Sequence, residues 1–255
     1  YFGYPATQQI RNSLQNASAY LYGVMDFTDS LQGFASLNVW NSQADTASAT
    51  QFFSTPLYFD PQFGRIVDGQ RIFTPAEIGP QQTENDESSW DFAVGLRGRL
   101  GERFDWDATL SRSEYDVEIN RPRFLRQPLF DYFLGPQLGT QLVGSTRYPI
   151  YRTNLQRYFN PIDPTTYQSL STMVKTEAES SVTQANFVLS GDLFELPAGA
   201  VGMAAVLEAG RQEYTLTPDP RLLPGANPAT AIYNLTGTGG GGERNRYAFG
   251  LEFSV

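Results

Sequence analysis

Apolar and polar side chains alternate one by one along much of this chain, and this spacing predicts extended strands rather than helices. The clearest case is residues 89–100, SWDFAVGLRGRL, where bulky apolar residues stand at even positions from Trp90 onward. Because successive side chains of a strand point to opposite faces, the segment has one apolar face and one small or polar face. About ten residues also suffice for a tilted strand to cross a bilayer.

Seven segments alternate in this way: residues 16–25, 31–41, 89–100, 104–113, 181–190, 200–214 and 244–255. Short turns join the first six segments into pairs, and long connections separate the pairs. The predicted turns are residues 26–30, 101–103 and 192–199, and the predicted connections are residues 43–88, 120–177 and 216–242. We expect the three connections on one side of a sheet, opposite the turns, which is typical of outer-membrane barrels.

The predicted fold class is all-β: an antiparallel up-and-down transmembrane β-barrel segment of about seven strands, with short periplasmic turns and long extracellular loops. Bacterial outer-membrane barrels have an even number of strands, and an open sheet edge in lipid leaves backbone groups without partners. We therefore expect residues 1–255 to form a partial β-barrel domain of a longer protein. A soluble barrel or β-sandwich could have the same strand order, but charged residues on the second face disfavour a soluble core.

Composition narrows the possible functions. The chain has no Cys and no His, and its net charge is −9. These counts exclude disulfides, Cys nucleophiles and the commonest zinc ligand, and the acidity argues against nucleic-acid binding. The sequence also lacks the common motifs of hydrolases, phosphate-binding loops and metalloproteases. We therefore predict no enzyme activity, no catalytic residue, no metal and no cofactor.

The hairpin around residues 101–103 predicts two ion pairs. If Gly101 begins a three-residue turn, Arg99 lies opposite Asp105 and Arg97 lies opposite Asp107, all on the face away from Trp90. Two nearby carboxylates can also serve acid–base chemistry, but pairing with the arginines of a water-filled lumen is the favoured interpretation. The same register predicts lipid contact for Trp90, Phe92, Val94, Leu96, Phe104, Trp106 and Leu110. After Arg112 the apolar positions change phase, which predicts a bulge or the emergence of the strand from the bilayer.

The connection 120–177 is the candidate ligand-binding segment, because it is basic and aromatic within an acidic chain. Arginine and aromatic side chains together suit an anionic or sugar-like ligand. Alternatively, these arginines contact lipopolysaccharide phosphates or fold the loop onto the barrel. The candidate ligand contacts are Arg121, Arg123, Arg126, Tyr132, Phe133, Arg147, Tyr148, Arg152, Arg157 and Tyr158.

One stretch also resembles a known family. Residues 191–214, GDLFELPAGAVGMAAVLEAGRQEY, are similar to a periplasmic turn and strand in the barrel of TonB-dependent outer-membrane receptors. Gly199, Glu208, Arg211 and Glu213 stand at the matching positions, whereas Val206 replaces a glycine that is usual there. Weaker similarity occurs at WDFAVGLRGRLGERFDWDATLSRSEYDV and at ERNRYAFGLEFSV.

The resemblance implies a location in the outer membrane of a Gram-negative bacterium, in a barrel of about 22 strands that encloses a plug domain. It implies active import of a scarce nutrient, of the siderophore, cobalamin or oligosaccharide class, powered through TonB. The implied partners are outer-membrane lipid, lipopolysaccharide, TonB, a plug domain and a small-molecule or sugar ligand. No stretch here resembles a plug. The alternatives are a passive porin or structural outer-membrane protein, and a soluble β-sandwich binding module.

Overall fold

The structure is a computed structural model that describes residues 12–48, 51–197 and 199–254. Its strands are β1 (Ser13–Thr28), β2 (Leu31–Ala47), β3 (Phe52–Ser54), β4 (Tyr58–Asp60), β5 (Arg65–Val67), β6 (Gln70–Ile72), β7 (Gln82–Leu100), β8 (Phe104–Phe124), β9 (Gly139–Val143), β10 (Thr146–Ile150), β11 (Ser171–Leu196), β12 (Gly199–Pro218) and β13 (Gly240–Ser254). The helices are α1 (Pro75–Ile78), α2 (Arg126–Phe133), α3 (Leu155–Phe159) and α4 (Pro164–Leu170), and Pro220–Leu222 form a 3-10 turn.

The main element is a seven-stranded antiparallel sheet in the order β1-β2-β7-β8-β11-β12-β13. The predicted all-β antiparallel fold with seven strands is therefore confirmed. The strands are longer than the alternation predicted. β7 begins at Gln82 rather than at residue 89, and β11 has 26 residues rather than ten. The sheet is open: within the described residues β1 pairs only with β2, and β13 pairs only with β12. None of the described helices has the length and hydropathy to cross a membrane.

Two local predictions along the strands are correct only in part. The turn predicted at residues 192–199 is shorter than expected, because β11 continues to Leu196, which pairs with Gly199, and Pro197 lies in the turn between them. Asp192 lies instead beside a register shift between Asp192 and Phe194. Of the two explanations for the change of phase after Arg112, the bulge is wrong, because the pairing of β8 with both neighbours is continuous there. Emergence of the strand from the bilayer stays a prediction. The side chains that share a face simply change from apolar to charged as β8 extends beyond Leu110.

The register places the residues predicted to face lipid on one face of the sheet, together with Leu21, Leu37, Phe187, Leu207 and Phe249. Of the side chains predicted to face lipid, Phe92, Val94, Leu96 and Leu110 are 40–53% exposed. Trp90, Phe104 and Trp106 are half-buried. In the described part of the chain, no second sheet packs against this apolar face. The β-sandwich alternative therefore lacks its second layer here.

The three long connections leave the sheet at the end opposite the short turns, as predicted. Their described residues are folded rather than irregular, and we call residues 51–81, 125–170 and 219–239 together the loop layer. It contains a four-stranded sheet in the order β5-β4-β10-β9, a two-stranded sheet of β3 and β6, and all four helices. The larger hydrophobic core lies within the loop layer and includes Phe124 at the end of β8. Its buried residues are Phe53, Tyr58, Phe73, Ile78, Phe124, Leu129, Phe133, Leu134, Tyr158, Ile162 and Leu170.

Candidate ligand-binding surfaces

The β7–β8 hairpin positions charged side chains on the polar face of the sheet. Gly101 has a φ of +67°, in the left-handed region that glycine adopts without strain, and it begins the predicted turn. The register is the predicted one, with Arg99 opposite Asp105 and Arg97 opposite Asp107. Arg99 and Asp105 form an ion pair of 3.7 Å whose side chains are 73% and 78% exposed. Because water screens an exposed pair, it contributes little to stability.

The predicted ion pair between Arg97 and Asp107 does not form, although the two residues are opposed. Arg97 Nε donates to Gln32 Oε1 at 2.6 Å, and its guanidinium lies 5.5 Å from the centre of the Phe34 ring. Asp107 accepts a hydrogen bond of 2.7 Å from the Thr109 hydroxyl. The reason is competition from β2, which lies on the other side of β7 and offers Arg97 an amide and an aromatic ring. A polar pocket of about 560 Å³ adjoins these residues.

Two of the predicted ligand contacts are core residues. Phe133 is fully buried, and Tyr158 packs against Phe133 and Phe53. Burial raises the pKa of the Tyr158 phenol to about 12. The Tyr158 ring fills the space where a side chain at position 69 would lie, so Gly69 is required there. Aromatic residues in this segment were predicted to contact a ligand, but these two stabilise the loop layer.

The other candidates are spread over several elements. Arg121 and Arg123 lie on β8. The pKa of Arg123 is lowered, mainly because the side chain is partly buried and secondly because the positive charge of Arg121 lies nearby. Arg157 lies 4.6 Å from the centre of the Tyr132 ring and donates to the Tyr132 carbonyl at 3.3 Å.

Arg126 begins α2 and lies 6.0 Å from the centre of the Phe130 ring. Arg147 and Tyr148 lie on β10, and Arg152 is exposed just after that strand. The structure therefore brings together Arg157 with Tyr132 and Arg121 with Arg123. It supports the alternative that some of these arginines fold the segment.

A buried ion pair in the loop layer was not predicted. Arg71 and Glu77 are 10% and 6% exposed, and they form a salt bridge. Glu77 also accepts from the backbone N–H groups of Thr74 at 2.7 Å and Ile162 at 3.1 Å. Arg71 donates to the Asn160 carbonyl at 2.9 Å. The pair thus ties the first connection to the second, a relation that period-two patterns do not reveal.

A buried carboxylate makes a second link between the same two connections. Asp60 is fully buried, and one of its oxygens accepts from the hydroxyl and the backbone N–H of Thr153 at 2.7 and 3.1 Å. The other oxygen accepts from the backbone N–H of Gln62 at 2.8 Å. These donors satisfy the carboxylate, which explains why a buried acid is tolerated here.

The third connection is fastened to β11 by Asp219 and Arg221. Arg221 donates to both oxygens of Asp219, at 2.9 and 2.6 Å, and to the Met173 carbonyl at 2.6 Å. These bonds to Arg221 are the main reason why the pKa of Asp219 is lowered to about 2. Val174, Leu222 and Ile232 form a small core beside the pair.

We expect Asp219→Asn to loosen the third connection. A carboxyl whose pKa is lower in the folded chain stabilises the fold above its unfolded pKa, and that contribution is lost as the pH falls through the folded value. The contribution of Asp219 is therefore complete at neutral pH and fades between about pH 4 and pH 2, and it amounts to roughly 2 kcal/mol. Hydrogen exchange of residues 219–239 at pH 7 should be faster in Asp219→Asn. Asp163→Asn, at an exposed helix N-cap, is the control, and equal protection in both variants would contradict the prediction.

Three carboxylates from two strands meet on the charged extension of the apolar face. The oxygens of Glu114, Asp116 and Glu179 lie within 4.8 Å of one another. They come from β8 and β11, which are distant in sequence, so spacing along the chain could not have indicated the group. Exposed acidic groups of this kind are common without a metal ion.

Comparison of the chain with family models, with curated proteins and with solved structures finds no match.

Proposed function

We propose that this chain is part of the barrel wall of a TonB-dependent receptor that imports a nutrient across the outer membrane of a Gram-negative bacterium. The observation that carries the proposal is a sheet with one polar face and one apolar face that no described residues cover with a second layer, capped at one end by a folded loop layer. The resemblance of residues 191–214 to the barrels of that family names the receptor class.

The apolar face supports a membrane location. Across paired strands it presents Leu21 beside Leu37 and Phe92, and Phe187 beside Leu207 and Phe249. Exposed apolar patches of this extent are rare on soluble monomers. Beyond the apolar band the same face becomes charged, with Lys175 paired to Glu118 at 2.8 Å and to Glu177 at 2.7 Å. This change fits a strand that leaves the hydrocarbon and enters the lipopolysaccharide region.

The sheet edges support a larger barrel. The strands β1 and β13 lie at opposite edges of the sheet, and six antiparallel pairings separate them. Because the direction reverses at each pairing, an even number of pairings leaves the two edge strands running in the same direction. An odd number of further strands is needed to join them with antiparallel pairing, which gives the even total of bacterial outer-membrane barrels. In the proposed receptor those strands, the plug domain and the TonB-contacting segment belong to other parts of the protein.

Fractionation and uptake test the proposal. The protein, tagged in its native host, is expected in the outer-membrane fraction, extractable only with detergent and with heat-dependent mobility on gels. Deletion of its gene should abolish uptake of one ligand from a panel of a ferric siderophore, cyanocobalamin and maltohexaose, and a protonophore should have the same effect. Uptake that persists with the protonophore would indicate a passive porin, and recovery in the soluble fraction would overturn the membrane assignment.

A further inference from the structure

Aromatic side chains form a row on the polar face of the sheet. Tyr20 and Tyr22 come from β1, Phe34 and Trp40 from β2, and Tyr115 from β8. The register places all five on one face, because Ser18 pairs with Trp40, Val24 pairs with Phe34, and Ser89 pairs with both Trp40 and Tyr115. We call these five residues the aromatic row.

Neighbouring residues hold the row in place. The Trp40 and Tyr115 rings stack with centres 6.4 Å apart and planes 14° apart, and the Tyr115 hydroxyl donates to Glu87. Gly95 leaves the space that the Phe34 ring occupies, since a side chain there would overlap the ring. Phe34 and Trp40 are six residues apart on β2, so the row is roughly 20 Å long. Tyr20 and Tyr22 remain 64% and 52% exposed.

The charge around the row selects the kind of ligand. The aromatic row lies beside the part of β7 that runs from Glu87 to Gly95. On this face, no described Lys or Arg occurs in that part of β7 or in the stretches of β1, β2, β8 and β11 that lie alongside it. The surrounding groups are hydroxyls and amides, with Asp91 and Glu87 as the carboxylates. They include Ser18, Ser36, Asn38, Ser89, Ser111, Ser113, Gln184 and Asn186. The Arg97 guanidinium lies over the Phe34 ring at one end of the row and also donates to Gln32. An anionic ligand would therefore find a cation at that end only, whereas a ligand rich in hydroxyl groups would find donors and acceptors throughout.

We propose that the aromatic row binds an uncharged oligosaccharide. The apolar faces of sugar rings pack on aromatic rings, and their hydroxyls pair with serine and amide side chains, so the row supplies both kinds of contact. The inference rests on the proposed transport function and names its substrate class. It also moves the binding site from the arginines of the loop layer to the wall of the barrel.

Binding of defined sugars to the full-length protein, purified from outer membranes in detergent, tests the inference. The probes are maltohexaose, cellohexaose and chitohexaose, with hexagalacturonate as the anionic comparison, and calorimetry gives each Kd. At least one neutral hexaose should bind, and more tightly than hexagalacturonate. Tyr22→Ala and Trp40→Ala should each raise its Kd by roughly three- to tenfold. Tyr22→Phe should keep most of the affinity, because the ring remains.

The matched control is Tyr247→Ala, which removes a 79% exposed aromatic from the opposite face and should leave the Kd unchanged. Absence of binding by all three neutral sugars, or tighter binding of hexagalacturonate, would overturn the inference. So would an unchanged Kd in the Tyr22 and Trp40 variants, which would assign the row to packing against another part of the protein. Protonophore-sensitive uptake of a siderophore, without sugar binding, would overturn this inference alone, whereas a soluble protein would overturn the proposed function.

Discussion

Leu96→Arg is expected to block assembly of the protein in the outer membrane. Leu96 lies within the apolar face of β7, pairs with Ala108 and Gly33, and is 43% exposed. In the proposed barrel that exposed part faces hydrocarbon, where an arginine near the bilayer midplane costs roughly 2–4 kcal/mol. The heat-modifiable, folded form of Leu96→Arg on gels should fall to a small fraction of the wild-type amount.

Arg97, the next residue along β7, provides the control, because its side chain points to the opposite face of the sheet from that of Leu96. Arg97→Leu removes a hydrogen bond to Gln32 and a contact with the Phe34 ring, both at a solvated surface. Its folded amount should stay close to that of wild type. If the apolar face were instead in water, Leu96→Arg would be nearly neutral, since it would add a charge to an exposed position. Equal amounts of both folded variants would therefore contradict the membrane assignment.

The sheet could be predicted because period-two alternation and a three-residue turn together determine a register. Around Gly101 one assignment alone puts Trp90 and Trp106 on one face and Arg97 and Asp105 on the other, and the structure has that register. Strand ends were less predictable. Beyond Leu110 the strand β8 continues by backbone pairing with its neighbours, but its apolar residues Tyr115 and Val117 lie on the face opposite Leu110. This change of phase hides the continuation of the strand from a search for one continuous alternation.

The loop layer could not be predicted, because contacts between distant segments determine it. Phe133 and Tyr158 have the same residue types as an aromatic ligand site, and only their packing beneath Phe53 shows that they form a core. Arg97 was assigned the wrong partner for a related reason. The hairpin register gave its neighbour on β8, but the competing Gln32 belongs to β2, whose pairing with β7 spans a long connection.

Glu77→Gln is expected to destabilise the loop layer while leaving the sheet folded. The substitution neutralises the partner of Arg71 and leaves a buried guanidinium without its counter-charge, although Arg71 still donates to the Asn160 carbonyl. Removal of one member of a buried ion pair typically costs about 3–5 kcal/mol. Because the pair ties the first connection to the second, proteolytic cleavage within residues 51–81 and 125–170 should be much faster in the variant.

Two further variants show whether charge or packing is responsible. Arg99→Gln breaks an ion pair whose partners are 73% and 78% exposed, so it should leave the cleavage rate near that of wild type. Arg71→Met combined with Glu77→Gln removes both charges and places an apolar side chain beside the Phe73 ring, over which the Arg71 guanidinium lies at 5.1 Å, so it should recover part of the lost protection. A double variant as labile as Glu77→Gln alone would show that the Glu77 bonds to Thr74 and Ile162, rather than the buried charge, hold the connections together. A Glu77→Gln variant as resistant as Arg99→Gln would show that the pair does not stabilise the loop layer.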